Sequence, residues 1–143
     1  MRPIGVTLVG YYQILRGILG MLFAFGILLF SAVATKMASL AAEGNALERS
    51  LHSFGRAAGI GVLLFAFLHV AAGFGVLNMQ NWGRALTLLF CAIGMVLVLP
   101  GLAHGHVFSL LFGLVNGASI IYLAMPPVKR AFKEGKPALP LAA

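Results

Sequence analysis

The run AAGIGVLLFAFLHVAAGFGVL, residues 57–77, places one polar side chain, His69, and no charge among 21 consecutive positions. Wound as an α-helix at 1.5 Å per residue it reaches about 30 Å, the thickness of a bilayer's hydrocarbon core. Such a helix satisfies its own backbone and offers lipid an apolar surface all round. That reading fixes the fold class.

Working outward, three further apolar blocks occupy residues 4–34, 85–99 and 107–125. The first would measure roughly 45 Å as one helix, so it must tilt or protrude. The chain of 143 residues is 61% hydrophobic and 9% charged, with a mean hydropathy of +1.01. Soluble domains are about half apolar and about a quarter charged, which excludes a water-soluble globule and, more firmly, a disordered chain. The expectation is an all-α membrane protein. Residues 1–125 form a compact bundle of four transmembrane helices, and residues 126–143 a basic cytoplasmic tail.

The connections carry the polar residues. Residues 35–56 hold Lys36, Glu43, Glu48, Arg49 and His52, while Leu40, Leu47, Leu51 and Phe54 recur at spacings of seven, four and three. This pattern predicts an extracytoplasmic amphipathic segment lying on the interface between the first two spans. Residues 78–84 form a tight polar turn anchored by Trp82, and residues 100–106 a short loop containing His104 and His106. Pro126-Pro127 ends the fourth helix, and the tail continues through Lys129, Arg130, Lys133 and Lys136 to a Pro-containing end expected to be loosely ordered.

The net charge of +7 arises from ten Lys and Arg against Glu43, Glu48 and Glu134. Most bases flank apolar blocks, so they sort topology and meet lipid headgroups, and nucleic acid is not the expected partner. Arg2, Arg84, Lys129, Arg130, Lys133 and Lys136 put six bases on the side of the termini, against three on the other, Lys36, Arg49 and Arg56. The positive-inside rule then sets both termini in the cytoplasm. Arg16, an apolar stretch and Ala32-Val33-Ala34 imitate a signal peptide, but the segment before Arg16 is itself apolar. The first block is therefore kept as a span.

Polar groups inside spans are costly and face protein or water. Tyr12, Gln13, Arg16 and Gly20 share a helical face, and with no acid in any span Arg16 is expected to snorkel toward the cytoplasmic interface. His69 has small and apolar neighbours on its face, among them Ala72 and Gly73. It suits a hydrogen bond across to another helix, with Asn116 as partner, or else an axial bond to haem or a chlorophyll magnesium. Ser109, Gly113, Asn116 and Ser119 line one stripe of the fourth block, suited to helix packing or to a narrow polar path. Gly55-x-x-x-Gly59 and Gly113-x-x-x-Gly117 fit the small-residue pattern of close helix contacts, within the chain or between chains.

Catalytic signatures are missing. The chain has no Asp, no Walker loop, no dinucleotide glycine fingerprint and no paired-cysteine motif, so no enzyme is expected. Cys91, the only cysteine, can form neither an intrachain disulfide nor a thiolate metal cage. His104 and His106, with His52 as the sole further candidate, make an incomplete metal site, so neither metal nor cofactor is expected.

Arg2-Pro3-Ile4-Gly5-Val6-Thr7, Asn81-Trp82-Gly83-Arg84-Ala85-Leu86 and Pro127-Val128-Lys129-Arg130-Ala131-Phe132 give the chain a resemblance. It resembles small four-span bacterial inner-membrane proteins grouped as predicted membrane proteins of unknown function. The resemblance covers most of the chain outside residues 35–56 and the tail beyond Glu134. It implies an architecture and a bacterial inner membrane, and supplies no catalytic residues. The expected role is a structural or accessory membrane protein packing against itself or a larger complex. The alternatives are a haem- or chlorophyll-binding subunit using His69 and a small channel or carrier.

Overall fold

A computed structural model describes residues 3–40, 45–104 and 106–134. It contains α1 Ile4–Leu40, α2 Asn45–Leu77, α3 Asn81–Ala103, α4 Val107–Ala124 and α5 Pro126–Glu134, with no strand among the described residues. The stretches Ile4–Met37, His52–Leu77, Asn81–Ala103 and Val107–Ala124 are long and apolar enough to cross a membrane. The protein is an all-α, multi-pass integral membrane protein.

Several boundaries differ from those read in the sequence. The described part of residues 35–56 is no separate interfacial helix, because α1 runs on to Leu40 and α2 begins at Asn45. These ends contain no proline and carry good helix formers such as Lys36, Met37, Leu40, Leu47, Glu48 and Arg49, which let a spanning helix continue beyond the hydrocarbon. The side chains of Leu47 and Leu51 lie outside the described residues, as do Arg2, Glu43, Gly105 and Lys136. Pro100 does not end α3 either. Placed in the last turns it removes one intrahelical bond, and its carbonyl still accepts the His104 N–H at 3.3 Å.

The start of the tail, through Glu134, is a docked helix that the sequence reading did not foresee, while the Pro-containing end lies outside the described residues. Met125, pushed out of helical geometry by the following proline, has φ −57° and ψ 136°. Its carbonyl accepts the Lys129 N–H at 2.9 Å, so the Pro126-Pro127 pair that stops α4 also starts α5. Spacings of three and one bury Val128, Ala131 and Phe132, while Lys129, Arg130 and Lys133 stay exposed. Residues 135–143 lie outside the described residues.

The chain divides into two compact units, Leu15–Val70 and the pairing of Met1–Ile14 with Ala71–Ala143. In the first, α1 and α2 run antiparallel through small residues. A β carbon on Gly55 would strike the Ser31 side chain, one on Gly59 would meet Leu28, and one on Gly17 would meet the Ala66 carbonyl and the Val70 nitrogen. The Gly55 and Gly59 pattern thus lies at a helix contact.

In the second unit, Val6, Val9, Val76, Met79, Leu123, Val128, Ala131 and Phe132 form one buried apolar cluster. It ties α1, the α2–α3 turn, α4 and α5 together. The turn closes with the Met79 N–H on the Val76 carbonyl, 3.0 Å, and the Gln80 N–H on the Gly75 carbonyl, 2.9 Å. This is the paired 6→1 and 5→2 pattern that ends helices, with Met79 at φ 56° where glycine is usual. Burial of its side chain in the cluster accounts for methionine there. Arg84 donates to the Asn81 side chain and to the Leu123 carbonyl, both at 3.2 Å, placing a cation on the last turn of α4.

Candidate functional site

Two sets of polar side chains lie inside the spans, one in each unit. In the unit containing α3 and α4, the Tyr12 hydroxyl donates to Asn116 Oδ1 at 3.2 Å, and Gln13 Nε2 donates to Cys91 Sγ at 3.5 Å. Thr87 precedes Cys91 by one helical turn. Gln13, Thr87, Cys91 and Asn116 have no exposed surface. Ser119 returns its hydroxyl to the Val115 carbonyl at 2.7 Å.

Of the polar residues singled out in sequence, Gln13 and Asn116 therefore enter one buried layer, and Ser119 bonds its own helix. The layer is not fully satisfied. Among the described residues nothing bonds Gln13 Oε1 or Thr87 Oγ1. An amide or hydroxyl oxygen without a partner in an apolar interior costs about 1–3 kcal/mol. Thr87 and Cys91 escaped the sequence reading because each alone looks like ordinary helix filling. Their separation of four residues, facing Gln13, is the signal that places both on one inner face.

In the other unit, Arg16, Gly20, Val62, Phe65, Ala66 and His69 line a pocket of about 170 Å³. His69 is 2% exposed. Its Nδ1 lies 3.0 Å from the Phe65 carbonyl, and because a carbonyl can only accept, the proton sits on Nδ1 and Nε2 holds the lone pair. The Phe65 ring meets the imidazole edge-on at 4.6 Å. Each helix contributes one polar group to an otherwise apolar wall, Arg16 from α1 and His69 from α2. The pocket exists because Gly20 has no side chain: a β carbon there would lie 3.0 Å from that of Ala66. Of the two residues expected to pair, His69 bonds the Phe65 carbonyl of its own helix through Nδ1, and Asn116 Oδ1 takes the Tyr12 hydroxyl.

The tautomer leaves Nε2 as the nitrogen an axial histidine would use. The cavity at His69, about 170 Å³, is smaller than the roughly 300–1,000 Å³ of pockets that enclose drug-sized ligands.

The His104 and His106 rings stand 6.3 Å apart, tilted by 56°, and His52 lies 3.5 Å from Arg56 Nη1 on its own helix. Among the described residues no group of three His, Cys, Asp or Glu could hold a metal ion.

The glycine pairs part company. A β carbon on Gly113 would lie 3.5 Å from Val98 Cγ1, an ordinary contact, while one on Gly117 would meet nothing within 4 Å. Gly117 instead borders an apolar groove of about 470 Å³, lined by Met95, Leu102, Leu110 and Leu114 among others. Tight approaches in this unit lie elsewhere, among them Gly75 against Gly83 across the α2–α3 turn, Gly73 against the Gly10 carbonyl and Gly5 against Tyr122. Comparison with family models, curated proteins and solved structures gave no match for the chain.

Proposed function

We propose that this chain is a structural or accessory integral membrane protein, without chemistry of its own, that packs against a second copy or a larger membrane complex. We place it in a bacterial inner membrane, with both termini and the basic face of α5 in the cytoplasm, on the count of flanking bases. One observation carries the reading. The polar side chains of α1, α3 and α4 are turned onto one another and onto backbone, as in Tyr12 to Asn116, Gln13 to Cys91 and Ser119 to Val115. A polar path for a carried solute would instead keep Asn116 and Ser119 open to water, and they are 0% and 5% exposed. Meanwhile the groove beside Gly117 offers lipid or a partner helix an apolar surface with room for close approach.

The experiment is site-specific photo-crosslinking in native membranes. A crosslinker at Gly117 should yield a discrete protein adduct, while one at Leu15, on an exposed face of the other unit, should yield lipid adducts. Lipid adducts at both positions, together with solute flux in proteoliposomes, would replace the packing role with a transport role.

A further inference from the structure

α5 turns two different faces to its surroundings. Val128, Ala131 and Phe132 enter the apolar cluster, while Lys129, Arg130 and Lys133 are exposed and fall within ~100° of arc on nearly the opposite side of the helix. The apolar face that a membrane-surface helix would sink into lipid is therefore already covered by the protein itself. What faces outward is charge. Beyond Glu48 the chain has one acid, Glu134, at the last position of α5, against these three cations. Arg84 adds a further positive charge near the start of α5, because the groups it bonds, the Asn81 side chain and the Leu123 carbonyl, are both neutral.

Packing sets the level of this face. Val6, Val9, Val76 and Leu123, which share the cluster with α5, each lie within two turns of a span end, and only Met125 separates Ala124, the last residue of the fourth span, from α5. α5 is thus held against the ends of the spans, where the headgroup layer begins at the edge of the hydrocarbon and is ~5–7 Å deep. Trp82, half exposed at the second position of α3, marks the same end as interfacial.

We propose that the outward face of α5 binds the headgroups of anionic diacyl phospholipids, phosphatidylglycerol being the simplest, through Lys129, Arg130 and Lys133. Charge complementarity selects the headgroup. Phosphatidylcholine offers the same phosphate beside a choline ammonium that the cations repel, whereas phosphatidylglycerol offers it uncompensated. Docking keeps the three cations together on an ordered helix, so binding does not have to order a free tail. Depth selects a lipid over a soluble anion, because two acyl chains hold the phosphate at the level α5 occupies and raise its local concentration there. The contact is exposed and electrostatic, so salt weakens it. The site needs neither a protein partner nor a particular side of the membrane, and it stands or falls separately from the packing role.

The test is equilibrium binding of radiolabelled dioleoyl phosphatidylglycerol, and in parallel of the phosphatidylcholine analogue, to the immobilised full chain in dodecyl maltoside. Phosphatidylglycerol should bind about tenfold or more tightly than phosphatidylcholine, since each base near an anionic surface contributes about fivefold before screening. Changing Lys129, Arg130 and Lys133 together to Gln should bring the two lipids to equal binding, as should about 1 M NaCl, where charges more than ~3 Å apart are screened. Lys129→Arg with Lys133→Arg, which keeps every charge, should bind as wild type does, and changing Lys36, Arg49 and Arg56 of the other unit to Gln should leave the preference intact. Helicity and melting of every variant are read alongside. Should the triple variant fold poorly, Lys129→Gln and Lys133→Gln decide singly, each with an expected loss of about fivefold. Equal binding of the two lipids by wild type overturns the proposal, as does a preference that survives the triple change. Displacement by glycerol 3-phosphate as effective as by phosphatidylglycerol would overturn it in favour of a free phosphate, and tighter binding of a labelled hexaglutamate peptide would overturn it in favour of an acidic protein.

Discussion

A β carbon added to Gly83 would land on the backbone of Gly75, whose own added β carbon would lie 2.8 Å from the Gly83 Cα. The approach is backbone to backbone, so no side chain can swing away to relieve it. Gly83→Ala must push α3 off α2 at the first turn, and over-packing of this kind costs about 1–3 kcal/mol. Gly117→Ala should be neutral or slightly stabilising, because space is open there and alanine is the better helix former by about 1 kcal/mol. Thermal melting of the two variants in the same detergent separates them, and an equal loss would place Gly117 at an interface between copies.

Met79 adopts a conformation that costs a side-chain-bearing residue about 1–2 kcal/mol, yet it is 7% exposed within the apolar cluster. Burying such a side chain from water contributes about 1.5–3 kcal/mol, and the turn lies at the polar end of two spans, where water is the right reference. Burial therefore wins. Met79→Gly should lower stability by about 1 kcal/mol despite relieving the backbone, and a rise in the melting temperature would show that strain dominates.

What was legible in sequence and what was not follows from these two positions. The four spans were readable because 61% hydrophobic composition leaves few other uses for runs of this length. The partners of the small residues were not, since Gly75, Gly83, Gly113 and Gly117 look alike in a chain of eighteen glycines and only the crossing point distinguishes them. Gln13 and Asn116 announced themselves as polar residues in apolar blocks, but their partners Cys91 and Tyr12 lie 78 and 104 residues away and no local pattern links them. The docking of α5 was missed for a different reason. Two consecutive prolines were read only as a stop, although proline suits a first helical turn equally well.

The buried layer gives a prediction in which two neighbouring residues behave oppositely. Tyr12→Phe removes the donor to Asn116 Oδ1, and a double-mutant cycle with Asn116→Leu should return a coupling of about 0.6 and at most about 1.7 kcal/mol, the range for hydrogen bonds between membrane helices. Gln13→Met should be neutral or stabilising. It surrenders only a weak bond to sulfur at 3.5 Å and removes an amide oxygen that nothing bonds among the described residues. Destabilisation of more than about 2 kcal/mol by Gln13→Met would mean that the amide oxygen is engaged in the membrane.

α5 separates packing from charge on one short helix. Phe132, 3% exposed, anchors it in the apolar cluster, and Phe132→Ala should lower stability by about 3 kcal/mol, at the low end for a buried aromatic. Lys129, Arg130 and Lys133 are exposed and are not members of the cluster, so changing all three to Gln should leave melting within about 0.5 kcal/mol of wild type. Their effect should fall on orientation instead. With those three removed, the six bases on the side of the termini fall to three and equal Lys36, Arg49 and Arg56 on the other. If flanking bases set the topology, a C-terminal reporter that requires the cytoplasm should lose about half its signal in the triple variant, and a periplasm-dependent reporter at the same site should gain it. A wild-type chain whose C-terminal reporter works only outside the cytoplasm would reverse the proposed topology, and a triple variant that keeps the full cytoplasmic signal would show that helix packing rather than base count holds the orientation.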